Sequence, residues 1–189
     1  IVKRIPEAAR RLADKYWPGP LTMIFEKADC VPKETTGGLN TVAVRMPADR
    51  IARAMITAAG GYVAAPSSNR SGRPSPTTAR HVIEDMDGRV EMIIDGGDTQ
   101  IGLESTIIDL TGGKPEILRP GSVTEEMVKE AIGSVETQGA VPEDGAAPKA
   151  PGMKYRHYAP RGELTIVEGA AGRVISFING QLELSGKSG

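Results

Sequence analysis

A loop rich in serine, glycine and proline is the segment of this sequence best suited to bind a ligand. Residues 64–76 contain four serines, one asparagine, two arginines and one glycine, between a predicted strand and a predicted helix. Hydroxyl groups, arginines and exposed amides bind phosphates, and open α/β sheets place their ligands at such loops. The same composition is typical of a solvated surface loop. The sequence has no phosphate-binding loop of the form Gly-x4-Gly-Lys-Ser/Thr.

Two arginines lie at the ends of predicted strands. Arg45 follows the β-branched alternation of residues 41–44. Its guanidinium either pairs with a carboxylate at the sheet edge or holds an anionic ligand in a bidentate contact, and the residue alone favours the ion pair. Residues 102–108 and 118–121, which contain Ser105 and Arg119, each place a polar side chain at a strand end beside a glycine. Taken singly, both segments are typical of ordinary turns.

The sequence contains no recognisable metal site or catalytic nucleophile. Its two histidines and its single cysteine are widely spaced, unlike the ligands of a zinc site. We interpret His81 as a surface or packing residue. His157 lies in a basic, aromatic run at 154–160, which is either a surface turn or a segment that packs on a purine base. Catalysis is therefore expected to depend on positioning and charge stabilisation.

These residues must be positioned by a mixed α/β sheet, the fold class that the patterns predict. Helices are predicted at 6–16, 49–59, 78–86 and 122–132, the last from a capping box of Ser122 with Glu125. Strands are predicted at 21–25, 41–45, 62–65, 92–94, 105–110 and 116–119. We interpret 1–132 as the main domain, 133–160 as a linker and 161–189 as the start of a second domain. That start includes a strand at 164–167 and a short element at 171–178.

Composition argues against several classes of protein. The 189 residues include 23 basic and 24 acidic side chains, so a formal net charge of −1 gives no overall attraction to nucleic acid or membranes. Aromatic residues make up 4%, too few for base stacking along single-stranded nucleic acid. Apolar runs are too short to cross a bilayer. One cysteine, Cys30, and no signal-peptide pattern favour a cytoplasmic location.

Six segments resemble, in order and spacing, motifs of the YrdC-like family in its long form, the threonylcarbamoyl-AMP synthases with an additional C-terminal domain. The segments lie at 16–22, 44–47, 65–72, 102–107, 118–121 and 151–160. The resemblance covers nearly the whole chain. It implies an open, twisted mixed sheet flanked by helices, then a flexible linker and the start of a small second α/β domain. Residues 1–132 would then be the catalytic domain without the family's N-terminal Lys-x-Arg segment, and 161–189 an incomplete C-terminal domain.

The resemblance also implies a nucleotidyltransferase reaction. L-Threonine, bicarbonate and ATP, with Mg²⁺, would give L-threonylcarbamoyl-AMP and pyrophosphate. Other transferase proteins would use this product to make threonylcarbamoyladenosine in tRNA. The motifs assign L-threonine binding to Arg45, Ala65 and Ser105. They assign ATP binding to Thr41, Ser67, Asn69, Ser75, Arg119 and Tyr158, where Asn69 shapes the loop and Tyr158 folds over the nucleotide as part of a lid.

Two other functions remain open from the sequence. A YrdC-like domain also occurs in carbamoyltransferases of hydrogenase maturation, although this chain shows no acylphosphatase or zinc-finger motif. A domain that binds double-stranded RNA without catalysis is the second alternative. The net charge of −1 disfavours it, and a local basic concavity would be needed to attract phosphate.

Overall fold

The computed structural model describes residues 1–137 and 165–185. These fall into two compact units, one within Ile1–Tyr158 and one within Ala159–Gly189. Within residues 1–137, the first unit contains nine elements: α1 (Glu7–Tyr16), β1 (Leu21–Glu26), β2 (Thr41–Arg45), α2 (Arg50–Ala58), α3 (Ala79–Met86), β3 (Thr106–Asp109), β4 (Glu116–Arg119), α4 (Glu125–Ile132) and β5 (Glu136–Thr137). The second contains α5 (Ala171–Ser185). The predicted linker lies mostly outside the described residues, and the predicted domain boundaries stay predictions.

The strands form one five-stranded sheet in the order β2-β1-β3-β4-β5. Strand β1 pairs antiparallel with β2 and parallel with β3. A parallel pair needs a long connection, and β2, α2 and α3 lie between β1 and β3 in the chain. Strands β3 and β4 form an antiparallel hairpin, and β5 pairs parallel with β4. The predicted fold class, an open mixed sheet flanked by helices, is confirmed.

Local side chains cap the first turns of α2, α3 and α4. Asp49 caps α2 by accepting a hydrogen bond from the Ala52 amide at 2.7 Å. Thr78 caps α3 by accepting a hydrogen bond from the His81 amide at 3.3 Å. The cap of α4 is Thr124, which accepts from the Met127 amide at 3.3 Å. The predicted capping box at Ser122 is therefore wrong, because the helix begins two residues later.

One face of the sheet carries the main core. Buried side chains from β1, β3 and β4 pack there against α1 and α4; they are Ala9, Leu12, Leu21, Met23, Phe25, Ile108, Ile117, Val123, Val128, Ala131 and Val135. The two helices are also joined directly, since the Tyr16 hydroxyl donates to the Met127 carbonyl at 2.7 Å. The other face buries only three hydrophobic residues as a cluster: Ile24, Ile107 and Leu118.

The buried Thr106 ties β3 to the chain that enters α4. Its hydroxyl donates to the Val123 carbonyl at 2.7 Å and accepts from the Val123 amide at 3.2 Å. Its own amide donates to the Pro20 carbonyl at 3.0 Å. The first residue of β3 is thus held on two sides.

Three predicted strands are wrong. Residues 62–65 and 92–94 have no regular secondary structure and belong to no sheet, and neither segment finds a neighbouring strand within the described parts of the chain. Tyr62 and Met92 are accordingly 65% and 76% exposed. A strand forms only where its backbone groups find a partner. Residues 165–167 are not a strand, whereas α5 is longer than the predicted element. None of the helices described here is long and apolar enough to cross a membrane.

Candidate functional site

Arg119, at the end of β4, is the centre of a polar network at one end of the sheet. Its Nε and Nη2 atoms donate to the Ser105 carbonyl at 3.1 and 2.9 Å, and Nη2 also donates to the Ser105 hydroxyl at 3.1 Å. Its Nη1 atom donates to Glu104 Oε2 at 2.7 Å. Both side chains of this ion pair are 27% exposed. The guanidinium is therefore fixed in the half-buried rim of the sheet rather than free in solvent.

Glu104 extends this network to the serine-rich loop. The Ser75 hydroxyl donates to Glu104 Oε1 at 2.8 Å, while the other carboxylate oxygen accepts from Arg119. Ser75 comes 29 residues before Glu104 in the chain. A single carboxylate thus connects the loop to β4.

A second branch of the network leads towards Arg45. The Ser105 and Thr22 hydroxyls are 2.8 Å apart and share a hydrogen bond. Thr22 is the register partner of Arg45, and register partners lie on the same face of a sheet. Arg45 is exposed, and no carboxylate within the described ranges pairs with it. The ion-pair alternative for Arg45 therefore has no support among these residues.

A β-bulge turns Arg119 to this face. Ile117 pairs with Ile108, and both are in the main core. In a regular strand, residue 119 would lie on the same face as residue 117. The register shifts between Ile107 and Ile108, so that Arg119 pairs with Ile107 and Leu118 is the additional residue. Because bulges re-aim side chains, Arg119 lies on the face opposite the core.

Gly121 lets the chain after β4 pass close to this network. A Cβ atom at this position would lie 2.5 Å from the Glu104 carbonyl oxygen and 2.6 Å from the Thr106 amide nitrogen. Both are backbone atoms, so they cannot move aside without displacing the strand. The glycine of the Arg-Pro-Gly sequence is thus explained by close packing on residues 104–106.

The serine-rich loop is closed on itself and fastened to α3. The Asn69 side-chain amide donates to the carbonyls of Arg70 and Arg73 at 3.0 and 2.9 Å. Asp85, a buried residue of α3, accepts from the Arg70 amide at 3.1 Å and from the Arg73 guanidinium. These contacts, first of all the Arg70 amide, lower the pKa of the Asp85 carboxyl. The role of Asn69 in shaping a loop that binds ATP stays a prediction.

The site presents guanidinium and hydroxyl groups, which bind anions, rather than a set of metal ligands. Within residues 1–137 and 165–185, no three His, Cys, Asp or Glu side chains cluster to hold an ion.

Comparisons with known proteins decide the family. The Sua5/YciO/YrdC family model, described as telomere recombination, matches residues 1–121. The chain belongs to this family. A second model, described as the C-terminal domain of threonylcarbamoyl-AMP synthase, matches residues 123–187. The resemblance seen in the motifs is therefore confirmed.

Relatives and solved structures agree with this membership. A threonylcarbamoyl-AMP synthase of Pyrococcus abyssi is 52% identical over 92% of this chain and 52% of its own length. The Bacillus subtilis enzyme of that name is 45% identical over 89% of this chain and 49% of its own. The crystal structure of P. abyssi Sua5 complexed with L-threonine matches with a TM-score of 0.88 and 49% identity, over 99% of this chain and 56% of that one. The chain spans about half the length of these relatives.

The structure brings together four of the predicted site residues: Arg45, Ser75, Ser105 and Arg119. Ala65 and Ser67 are exposed in the loop before Ser75. Tyr158 lies outside the described residues. None of these assignments is tested by the comparisons, and all stay predictions.

Thr41 lies apart from that group. It is on the same sheet face as Arg45 but at the other end of β2, about 13 Å away along a five-residue strand. There it lines a cavity of about 260 Å³ with Asp109, Thr111 and Lys114, among others. A nucleotide that contacts both Thr41 and Arg119 would have to extend along this face.

Sequence reasoning missed Thr22 and Glu104 as parts of the site. Thr22 lies in the motif segment 16–22 without an assigned role, and its place in the site follows from its register with Arg45. Glu104 lies in a segment read as an ordinary turn. Its place directly before Ser105, one of the predicted site residues, was the available signal.

Proposed function

We propose that this chain forms part of an enzyme that makes L-threonylcarbamoyl-AMP and pyrophosphate from L-threonine, bicarbonate and ATP. The observation that carries this proposal is the pair of arginines on one sheet face. Arg45 and Arg119 lie on either side of the hydrogen-bonded hydroxyls of Thr22 and Ser105. Such a site can hold two anions close together, which this reaction requires. The family membership and the names of the relatives support the same activity.

The reaction needs positioning more than it needs a nucleophilic side chain. The threonine amine adds to carbon dioxide derived from bicarbonate and loses a proton, which forms a carbamate. A carbamate oxygen then attacks the α-phosphorus of ATP in line, and pyrophosphate leaves with the electron pair of the broken P–O bond. The two reactants are both negatively charged, so the protein's part is to overcome their repulsion and align them. This makes the protein a nucleotidyltransferase.

The L-threonine side of the site would be built on β2 and the start of β3. Arg45 would hold the carboxylate in a charge-assisted contact. Ser105, fixed by Thr22 and Arg119, would bind the same ligand. The Ala65 backbone would complete the pocket. A P. abyssi relative has been solved in complex with L-threonine, which supports this part of the proposal.

The ATP side would use the serine-rich loop and β4. Ser67, Ser75 and Arg119 would contact the nucleotide, Asn69 would hold the loop in shape, and Thr41 would meet the end of the nucleotide farthest from Arg45. Tyr158 is proposed as part of a lid. Mg²⁺ would enter as the Mg–ATP complex, because the described residues offer no metal cluster of their own and Mg²⁺ is commonly held by phosphates with few protein ligands.

The product would serve as the donor for threonylcarbamoyladenosine in tRNA, made by separate transferase proteins. A cytoplasmic location would fit that role. The exposed Cys30 is consistent with a reducing compartment.

Product formation in the intact protein that carries this chain tests the proposal. The protein is incubated with Mg–ATP, L-threonine and bicarbonate, and threonylcarbamoyl-AMP is measured by mass spectrometry. Omission of any one substrate should abolish the product, and L-serine should replace L-threonine poorly. Salt-dependent binding of double-stranded RNA without ATP binding would instead favour the RNA-binding alternative and would reject the proposal.

A further inference from the structure

Glu104 is a charged residue of the site to which neither the motifs nor the proposed reaction gives a role. Its two carboxylate oxygens accept from different parts of the fold, Oε1 from Ser75 in the loop and Oε2 from Arg119 in β4. We propose that Glu104 is a positioning residue for ATP, which sets the directions in which Ser75 and Arg119 meet the nucleotide. This inference rests on the proposed function, since it takes the two partners as ATP-binding residues.

The long side chain of Arg119 does not by itself hold the guanidinium in one orientation. Nε and Nη2 are occupied by Ser105, and Glu104 takes one proton of Nη1. A guanidinium has five N–H donors in one plane. The contacts with Ser105 and Glu104 therefore use four of them and leave the second proton of Nη1 to a ligand. Glu104 thus sets which proton of the guanidinium is left for a ligand.

The hydroxyl of Ser75 has a single proton. That proton is donated to Glu104 Oε1 at 2.8 Å. Towards a ligand, Ser75 then presents only lone pairs, so its partner on ATP must be a donor. ATP carries donors on its ribose hydroxyls and its adenine amine, whereas its phosphate oxygens are acceptors. Glu104 thereby directs Ser75 to the nucleoside part of ATP.

The backbone around Glu104 is held rigidly by its neighbours. The carboxylate belongs to a residue that directly precedes Ser105 and Thr106, both buried. Gly121 packs against the Glu104 carbonyl, at a distance that admits no side chain. The side chain is 27% exposed, so its hydrogen bonds compete only partly with water. Glu104 therefore has the rigid support that a positioning residue needs.

The test measures ligand affinities by titration calorimetry in the intact protein, so that no turnover is needed. The variants are Glu104→Gln, which keeps the shape, Glu104→Ala, Ser75→Ala and the Glu104→Ala/Ser75→Ala double variant. Glu7→Gln, an exposed carboxylate on α1, is the matched control. Both Glu104 variants should bind ATP about tenfold more weakly, the size expected for a lost charge-assisted contact. Melting temperatures should change by only a few degrees, and Glu7→Gln should bind ATP as the parent does.

Two further results distinguish positioning from a general loss of structure. Ser75→Ala should add little further loss once Glu104 is Ala, because without that carboxylate the Ser75 hydroxyl is no longer directed to the nucleotide. Ser75→Ala should also leave the affinity for inorganic triphosphate unchanged, since triphosphate lacks the nucleoside donors. Three results would overturn the proposal. They are additive losses of ATP affinity in the double variant, an unchanged ATP affinity in both Glu104 variants, and an equal loss of affinity for triphosphate and ATP in Ser75→Ala. A parent that binds ATP but makes no threonylcarbamoyl-AMP would reject the proposed function alone, and a parent that does not bind ATP would overturn both.

Discussion

The two arginines of the site differ in what surrounds them. Arg119 is held by Ser105 and Glu104 on several of its nitrogen atoms. Arg45 is exposed and has only a hydroxyl-bearing neighbour, Thr22, as its register partner. A guanidinium held on most of its donors suits a fixed contact with part of a ligand, whereas an exposed one can close on a carboxylate. This contrast favours Arg45 as the group that responds to L-threonine.

The first prediction is that Arg45→Ala weakens L-threonine binding by about tenfold or more. The loss of a charge-assisted bidentate contact costs about 1.5–3 kcal/mol. Arg45→Lys should recover only part of the affinity, because an ammonium cannot make the planar two-point contact. Titration calorimetry with L-threonine in the intact protein measures the effect. Arg50→Ala, at the exposed start of α2, is the control, and a threonine affinity unchanged in Arg45→Ala would contradict the assignment.

At the scale of single residues, the sequence was informative where a residue type has few uses. An arginine that ends an apolar strand and hydroxyls beside glycine stand out, and Arg45, Ser105 and Arg119 do lie near one another. Glu104 was missed because a carboxylate in a turn is most often solvated, and only the fold shows that two distant partners meet at it. Long-range hydrogen bonds of this kind leave no periodic signal in the sequence.

The attachment of the serine-rich loop to α3 leads to the second prediction, which concerns pH. The folded protein lowers the pKa of Asp85, so the carboxylate stabilises the fold above its ordinary pKa of about 4. That contribution is lost as the pH falls through the lowered value. The parent should therefore melt at a higher temperature than Asp85→Asn at pH 7, and the difference should shrink in acid.

Thermal unfolding followed by circular dichroism over a series of pH values measures this difference. Asp87→Asn, two residues further along the chain and exposed, serves as the control and should differ little from the parent at any pH. A difference between the parent and Asp85→Asn that is the same at every pH would show that the charge of Asp85 does not matter.

The close passage of Gly121 past β3 leads to the third prediction. Gly121→Ala should destabilise the fold by about 1–3 kcal/mol, the usual cost of overpacking, because the new Cβ meets backbone atoms at 2.5 and 2.6 Å. It should also weaken ATP binding, since Glu104 must move. Gly113→Ala is a matched control, as no atom lies within 4 Å of its added Cβ. Chemical denaturation and calorimetry give the two quantities, and a fully stable Gly121→Ala would refute the packing argument.

At the scale of elements, the sequence predicted the paired strands and the four helices of the first unit. It failed at 62–65 and 92–94, where an extended pattern is present without a partner strand in the described chain. It also failed at β5, whose two residues are too few for any pattern, and at the bulge that re-aims Arg119. Pairing and register depend on contacts between distant segments, and local patterns do not contain them.

The residues that stabilise the fold and the residues of the candidate site lie on opposite faces of the sheet. The main core and helices α1 and α4 lie on one face, and the candidate site lies on the other. The fourth prediction is that Leu12→Ala lowers the free energy of unfolding by about 2–5 kcal/mol and leaves ligand affinities unchanged at temperatures where it is folded. Leu12 is fully buried at the centre of the core.

Urea unfolding and calorimetry on the same preparation measure both properties. Ile5→Ala is the control, because Ile5 is 47% exposed and its truncation removes little buried surface. If the folded Leu12→Ala protein bound L-threonine or ATP several-fold more weakly, the separation of the two faces would be incorrect.

For the whole molecule, the sequence predicted the mixed open sheet and the family, and both are confirmed. The strand order β2-β1-β3-β4-β5 was not predicted, because it depends on a parallel pairing between β1 and β3, which are far apart in the chain. The sequence did not show that the core and the candidate site lie on opposite faces of the sheet. This depends on the strand register, which places Arg45, Thr22 and Arg119 together.

The double hydrogen bond between Thr106 and Val123 makes the start of α4 a reporter of the site. Residues 104–106 are consecutive, so opening of this segment would release both the site carboxylate and the Val123 amide, which donates to Thr106. Amide hydrogen exchange occurs through such local openings. Any ligand that holds Glu104 or Ser105 should therefore slow deuterium uptake at Val123, on the side of the sheet that the ligand never touches. Occupancy could then be followed at an amide buried in the core.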